Sequence, residues 1–570
     1  MHRHTPSFDL DPDATLPDLL DRAALCFPER GIAIFDGRGR RHERRTYVQV
    51  RDAARLAASR WSMLGVRPGD RVLVAQPTSW DWLDAWLGAV LLGALPVAVA
   101  PGAVLGAARA HLEKVDRLVR RLGARYVVVS DAFRKEARAA GFDAAAGAAI
   151  TPAELARTTP ATVVGPRPSA EDLAFLQLTS GSTGLPRAVM IRHRSALHNA
   201  WANGRAIGVP HGAPTHAWAD SMVSWLPLHH DMGLVGCLLL SIFAGHDLWL
   251  FQGTTFLAKP RLWLEHLGRH GTAFTPAPNF GYQLCLERLS PTDREGLDLS
   301  GWHDAMTGAE MVRSETVEGF CEAFDPHGFK PETFRPCYGL AEGTLAVTFD
   351  QKGRGMRTRP MPEAAGEGHA LADVVCVGEP IDDTVVEIVG PDGRPLPDGA
   401  VGEIRAQGPS IFAGYWNDAE ATAEGLRDGW LHTGDLGFLH DGELYITGRS
   451  KDVLILRGHN VMPHELEWHA EAVTGGGGAL RSGAFSVARG AQGEEAVLVV
   501  EVQDRDPENL AAMAREIRSR IGRTLSLTVA DIAFVRRGRI PKTTSGKVQR
   551  RQLRHEYWTG SLEPIERFGA

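Results

Sequence analysis

The 570-residue chain has only six cysteines, Cys26, Cys237, Cys285, Cys321, Cys337 and Cys376, scattered and mostly inside apolar stretches. Their spacing matches no zinc or redox motif, so they read as buried thiols of a reducing compartment. Excess charge is also missing. With 62 basic and 69 acidic residues the net charge is −7, which argues against nucleic-acid binding by bulk electrostatics. Long apolar runs are absent too: Leu87 to Pro101 and Leu234 to Phe251 are short and broken by Gly, Pro, His or Asp, so each is expected to be a buried helix or strand and not a membrane span. The first residues are charged and polar, without the apolar core of a secretory leader, and the expectation is a cytoplasmic protein. No internal repeat is evident, and small molecules or another protein are the expected partners.

Helical patterns alternate with short apolar runs, as in helices packed on largely parallel sheets, and the expected fold class is α/β. Leu16 to Phe27 predicts a helix, Arg71 to Ala75 a strand, Trp80 to Leu92 a helix, and Pro96 to Ala100 and Arg125 to Ser130 two more strands. Phe349 to Gly368 is polar and rich in Gly, Pro, Arg and Met, which predicts an irregular excursion. Val385 to Arg405 predicts a β meander turning at Pro391-Asp392-Gly393-Arg394. The rhythm changes near Lys451. Beyond it come a helix from Pro463 to Val473, a four-glycine loop, strands Ala484 to Ala488 and Ala496 to Val502, and a helix Asn509 to Ile521. The chain therefore divides into a large lobe, residues 1–450, and a small lobe, 451–570, that reads as a mobile lid.

After the apolar strand Leu173 to Leu178 comes Thr-Ser-Gly-Ser-Thr-Gly-Leu-Pro-Arg, residues Thr179 to Arg187. A loop of this composition can turn backbone N–H groups and hydroxyls around a tetrahedral anion, the way proteins hold nucleotide phosphates. It lacks the Gly-Lys-Ser or Gly-Lys-Thr ending of the usual nucleotide-hydrolase loop, and by itself could be a flexible surface turn. Four further segments weigh against that alternative. The stretch Leu178 to Met190 resembles the phosphate-binding signature of the adenylate-forming superfamily, enzymes that activate carboxylic acids as acyl-AMP. Tyr338-Gly339-Leu340-Ala341-Glu342 is similar to its adenine and magnesium segment, Thr433-Gly434-Asp435 to its ribose turn, Gly448 to Asp452 to its hinge, and Pro541 to Lys547 to its catalytic lysine loop. Trp225 to Gly236 (WLPLHHDMGLVG) resembles the signature of the fatty acyl-AMP ligase branch, and Gly448 to Glu467 leans the same way.

The resemblance implies ATP and Mg2+ as cofactors and assigns roles position by position. Thr179, Ser180, Gly181, Ser182, Thr183 and Gly184 would cradle the phosphates with Arg187, which stands where the family usually has lysine, next to Ala188 in place of glycine. Arginine keeps the charge but is bulkier and forked. Gly308, Ala309 and Glu310 would line one side of the adenine, Tyr338 and Gly339 the other. Glu342 would hold magnesium as a hard oxygen donor. Asp435 would take the ribose hydroxyls, with Arg449 as a charge-assisted donor. Lys547 would join the acid's carboxylate to the α-phosphate, His230 would orient that carboxylate, and Lys451 is the pivot. Each has a plainer alternative: a helix-start acid for Glu342, an ordinary turn for Asp435, a solvated lysine in a basic tail for Lys547, a buried structural histidine for His230.

The same resemblance implies a fatty acid substrate and an acyl carrier protein as acceptor of the acyl group, with CoA disfavoured. The insertion that keeps CoA out in the acyl-AMP ligases falls on Phe349 to Gly368 and is short here. A fatty acyl-CoA ligase and a catalytically silent carrier-binding homologue remain as alternatives.

Overall fold

Runs of Val, Leu and Ile flanked by amphipathic helices form parallel strands, since helices laid on both faces of a sheet shield its side chains from water. The computed structural model describes residues 11–102, 108–160, 167–179, 186–208, 221–272, 274–362, 373–456, 459–475, 480–488, 494–525, 527–542 and 547–569. One six-stranded sheet runs Ala149–Ile150, Tyr126–Val128, Arg71–Val74, Leu95–Ala98, Leu173–Leu178, Ala188–Arg192, parallel except for the last pair. A second begins with the parallel strands Phe274–Pro278, Asp304–Gly308 and Phe334–Gly339 and ends with antiparallel Ala346–Phe349 and Glu379–Pro380. The open ends of Leu173–Leu178 and Phe334–Gly339 deliver the two expected nucleotide motifs.

The helix Trp80–Leu92 shows why some boundaries are plain in sequence. Ser79 accepts a hydrogen bond from Trp82 N at its start, and Gly93 takes the left-handed conformation (φ 77°) that stops it. The broken run from Leu234 is helical: Asp231 to Ala244 form one continuous helical stretch, wider than an α-helix over Leu234–Leu239, followed by the strand Asp247–Leu250. No helix among the described residues is long and apolar enough to cross a membrane.

Two expectations need correction. The segment expected to be irregular begins inside a strand, Ala346–Phe349, and contains Thr358–Pro360 paired antiparallel with Asp373–Val375. Its polar residues are fixed by charge: Arg357 donates to both carboxylate oxygens of Glu443 and to Asp350 Oδ1, and Arg354 donates to Glu443. Those guanidinium groups neutralise Asp350 and Glu443 beside Cys376, a trio whose spacing alone would suit a metal ion. Residues 363–368 of the expected excursion lie outside the described residues. The meander expected from Val385 is a pair of antiparallel strands, Val385–Val389 and Gly402–Gln407, in register from Val385 with Gln407 to Val389 with Glu403. The turn at Pro391–Arg394 sits in a longer connection between them and is closed by Gly390 N donating to Arg394 O.

Beyond Leu454 a separate core forms. The central strand Glu494–Val502 is buried on both faces: Ala496, Leu498, Val500 and Val502 join Leu510, Ile517 and Ile521 on one side, while Val497 and Val499 join Phe485, Ala533 and Leu553 on the other. The period of two along the strand is the reason. In the large lobe Arg335, 1% exposed, donates to Asp304 Oδ1 at 2.6 Å, to Asp350 O and to Ala206 O, tying three elements together. Arg335→Ala leaves Asp304 with only the partly exposed Lys352, whose Nζ lies 2.9 Å from its Oδ2, and is expected to lower large-lobe stability by about 3 kcal/mol in denaturant titration.

Candidate active site

A cavity of about 1200 Å3 lies where the lobes meet, lined by Thr179, Arg187, His230, Asp231, Ala309, Glu310, Tyr338, Gly339, Glu342, Asp435, Arg449, Lys451 and Lys547, among others. Residues separated by hundreds of positions in the chain thus share one space. Gly308 does not line it: a Cβ there would press on Cys337 O at 2.7 Å, so its lack of a side chain serves the packing of two neighbouring strands. Ser180, Gly181, Ser182, Thr183 and Gly184 lie outside the described residues, though the ends of their loop are fixed by Thr179 N donating to Arg187 O and Arg187 N donating to Thr179 Oγ1.

Each described group is held by specific partners. Asp435 accepts from Tyr338 Oη at 2.7 Å through Oδ2 and from Arg449 Nε at 3.0 Å through Oδ1. Each carboxylate oxygen can accept a second bond, so two further hydroxyls fit the same group. Glu342 follows the strand Phe334–Gly339 in a single tight turn, and its Oε1 accepts from Tyr415 Oη at 2.7 Å. Burial pushes its carboxyl pKa above the usual range, against the pull of the Tyr415 hydrogen bond. The Arg187 guanidinium sits 5.1 Å from the centre of the Tyr415 ring and 3.9 Å from Asp418 Oδ2, so the cation lies beside both a phenol and a carboxylate. Ala309 has φ 69°, a left-handed conformation that costs a non-glycine residue energy and turns the chain sharply at the end of Asp304–Gly308. Glu310 beyond it accepts from Phe280 N at 2.7 Å.

The lysine loop is presented by the small lobe. Glu501, fully buried, accepts from Gly538 N and Ile540 N through Oε1, and from Arg481 N and Lys542 Nζ through Oε2. Lys542 then pairs with Val548 across the loop, which sets the residue before Val548 at the cavity. Burial and the charge of Arg449 push the Lys547 ammonium pKa below its ordinary value, while Asp231, Asp435 and Glu310 oppose that fall. Burial likewise lowers the His230 imidazole pKa; Asp231 opposes this, and the nearby Lys547 adds to it. The lysine, the histidine and the three carboxylates are therefore electrostatic neighbours.

Tyr415, Arg313, Arg481 and Glu471 also line the cavity, and sequence reasoning misses all four. They sit in no spaced motif. The Arg313 guanidinium donates to Glu471 Oε2 across the lobes at 2.5 Å and lies 5.2 Å from the centre of the Trp468 ring, and Arg481 lies 3.9 Å from Glu310 Oε2. Only folding brings these pairs together.

The Asp435 carboxylate, the turn at Glu342 and Lys547 of the small lobe thus line one cavity. The model of the AMP-binding enzyme family matches residues 20–416, and the chain belongs to that family. Among curated proteins it is 34% identical over 562 residues, 96% of each chain, to a putative acyl-CoA synthetase of Caulobacter vibrioides. It is 35% identical over 424 residues, 70% of each chain, to the medium-chain-fatty-acid–[acyl-carrier-protein] ligase JamA of Moorena producens. Among solved structures, one from structural and functional studies of fatty acyl-adenylate ligases from E. coli and L. pneumophila superposes with a TM-score of 0.86 at 31% identity, over 98% of this chain and 99% of that one.

Proposed function

We propose that the chain uses ATP to convert a fatty carboxylic acid to its acyl adenylate, and then passes the acyl group to the phosphopantetheine thiol of an acyl carrier protein. The observation that carries this reading is Lys547 of the small lobe lining the same cavity as His230, Asp231, Asp435 and Arg449. In the first step a carboxylate oxygen bonds to the α-phosphorus and the bond to the β-phosphate breaks, so pyrophosphate leaves with the electron pair. Two anions must approach each other, and neutralisation and orientation supply the rate. Lys547 is an electrostatic neighbour of both His230 and Asp435, and its ammonium would offset the charge that builds on the oxygens. His230 holds the acid's carboxylate by a hydrogen bond. Asp435, braced by Tyr338 and Arg449, receives the ribose, and Tyr338 and Ala309 bound the adenine. Arg187 supplies the cation at the phosphate loop.

Glu342 fits a magnesium ion: Oε1 is taken by Tyr415, Oε2 accepts from no other residue among those described, and a buried carboxyl without an ion pair gains from a cation. The ion would neutralise phosphate charge. In the second step the thiol gives its proton to water, its sulfur bonds to the acyl carbon, and the bond from that carbon to the phosphate oxygen breaks, so AMP leaves with the electron pair. Lys547 must first withdraw, and Lys451, in the turn Ser450–Asp452 between the lobes, is where the chain would swivel. ATP use and six free cysteines support a cytoplasmic setting.

A second reading, an acyl-CoA ligase, is favoured by the Caulobacter relative's description. Mass spectrometry of products from ATP, Mg2+, a panel of fatty acids, and either CoA or a pantetheinylated carrier separates the two. The proposal expects acyl-AMP, acyl-carrier and little acyl-CoA. Efficient acyl-CoA formation favours the second reading, and carrier binding without any acyl-AMP would mean a silent homologue.

A further inference from the structure

Beside the apolar part of the cavity lies an amide whose hydrogen bonds are only partly met among the described residues. Met232, Gly236 and Leu240, spaced four apart on the helical run Asp231 to Ala244, line it together with Leu345 and Ala346. Gly236 keeps this part open, since a Cβ there would meet Leu345 Cδ2 at 2.9 Å. Asn203, in the helix His193–Ala206, lines the same cavity although the residue is only 3% exposed.

Two other amides are occupied, whereas Gln177, which donates to His229 O, also has an Oε1 without a partner among the described residues. Asn199, one turn earlier, donates to Ala346 O and Ser410 Oγ and accepts from Ala346 N. Asn279 accepts from Arg313 N and donates to Thr316 Oγ1. Asn203 spends one Nδ2 proton on Asn199 Oδ1 at 2.9 Å; among the described residues its Oδ1 accepts nothing and its second Nδ2 proton has no acceptor. An amide left in this state against a plain alkyl chain loses its hydrogen bonds to water without replacement.

We propose that Asn203 is a specificity-determining residue that selects fatty acids carrying a hydroxyl on the alkyl chain. A hydroxyl is the small group that can donate to Oδ1 and accept from Nδ2 at once, whereas a ketone only accepts. A site built to bond a substrate hydroxyl discriminates against the analogue that lacks it, while an all-apolar wall discriminates weakly against the hydroxyl. The inference rests on the acyl-adenylating reading above, and the test distinguishes the two.

The experiment is fatty-acid-dependent ATP–pyrophosphate exchange with dodecanoic acid and each of its monohydroxy isomers, for the full chain and for Asn203→Leu. One hydroxy isomer is expected to exceed dodecanoic acid in kcat/KM by about tenfold or more. Asn203→Leu, close in volume, is expected to abolish that advantage and to use dodecanoic acid at least as well as the unaltered protein. Equal or better use of dodecanoic acid than of every isomer by the unaltered protein overturns the proposal and leaves the acyl-adenylating reading standing. So does a preference that persists in Asn203→Leu. Exchange with none of the acids overturns both.

Discussion

Lys547→Ala is expected to slow acyl-adenylate formation by about 10²–10³-fold, the usual cost of removing one preorganised donor from a developing anion. Transfer of the acyl group from supplied acyl adenylate to a pantetheinylated carrier is expected to stay near its original rate, since the proposal confines Lys547 to the first step. The two half-reactions, measured separately by quenched mass spectrometry, check this split. Lys547→Arg adds a pH test. The Lys547 ammonium has a lowered pKa, because burial and Arg449 disfavour its charge, and in the proposed role it must be protonated. Adenylation therefore falls on the alkaline side at a lower pH than an ordinary lysine would give. Arginine stays protonated, so the alkaline fall should move upward in Lys547→Arg even if the plateau drops. An alkaline limb unchanged by Lys547→Arg would assign it to another group.

Arg313→Ala should separate the half-reactions by a different route. Arg313 of the large lobe and Glu471 of the small lobe pair with side chains 17% and 4% exposed, and Glu471 Oε1 also accepts from Ser482 N at 2.9 Å. Burial already pushes the Glu471 carboxyl pKa up, and Arg313 is the main charge holding it down. Without Arg313 the buried carboxylate keeps only Ser482 N and the nearby charge of Arg481, at a cost of about 3 kcal/mol to the arrangement in which the lobes enclose the cavity. Opening the lobes relieves that cost by returning Glu471 to water. Adenylation is thus expected to fall by about 10²-fold or more, at roughly 1.4 kcal/mol per factor of ten, with transfer from supplied acyl adenylate unchanged or faster. The radius of gyration from solution scattering should rise. Glu471→Gln in the Arg313→Ala background should recover part of the loss, because a neutral amide is cheaper to leave without its partner. Equal loss of both half-reactions with no recovery would contradict a role in lobe closure.

Features that depend on neighbours in the chain are legible in the sequence. Trp80–Leu92 is legible to the residue because Ser79 is a local start signal and Gly93 a local stop signal. Strands such as Arg71–Val74 and Glu494–Val502 come within a few residues, since an apolar run shows its own extent. Asp435, Glu342, Arg449 and Lys547 are legible as members of motifs, although their meeting in one cavity depends on the packing of two lobes. Tyr415, Asn203 and the Arg313–Glu471 pair carry no such signal. Each becomes informative only through a partner far along the chain: Glu342 for Tyr415, the helical run from Asp231 for Asn203, and a whole lobe for Arg313. The stretch from Phe349 escapes the sequence for the same reason, because Glu443 orders its arginines from almost a hundred residues away.

The most direct measurement is exchange of labelled pyrophosphate into ATP by the purified protein with Mg2+, with and without a fatty acid. Label should enter ATP only when the acid is present, because the α-phosphate bond breaks only on attack by a carboxylate and reforms only from acyl adenylate. Exchange that ignores the acid, or none with any acid across chain lengths and hydroxylation patterns, would contradict the account.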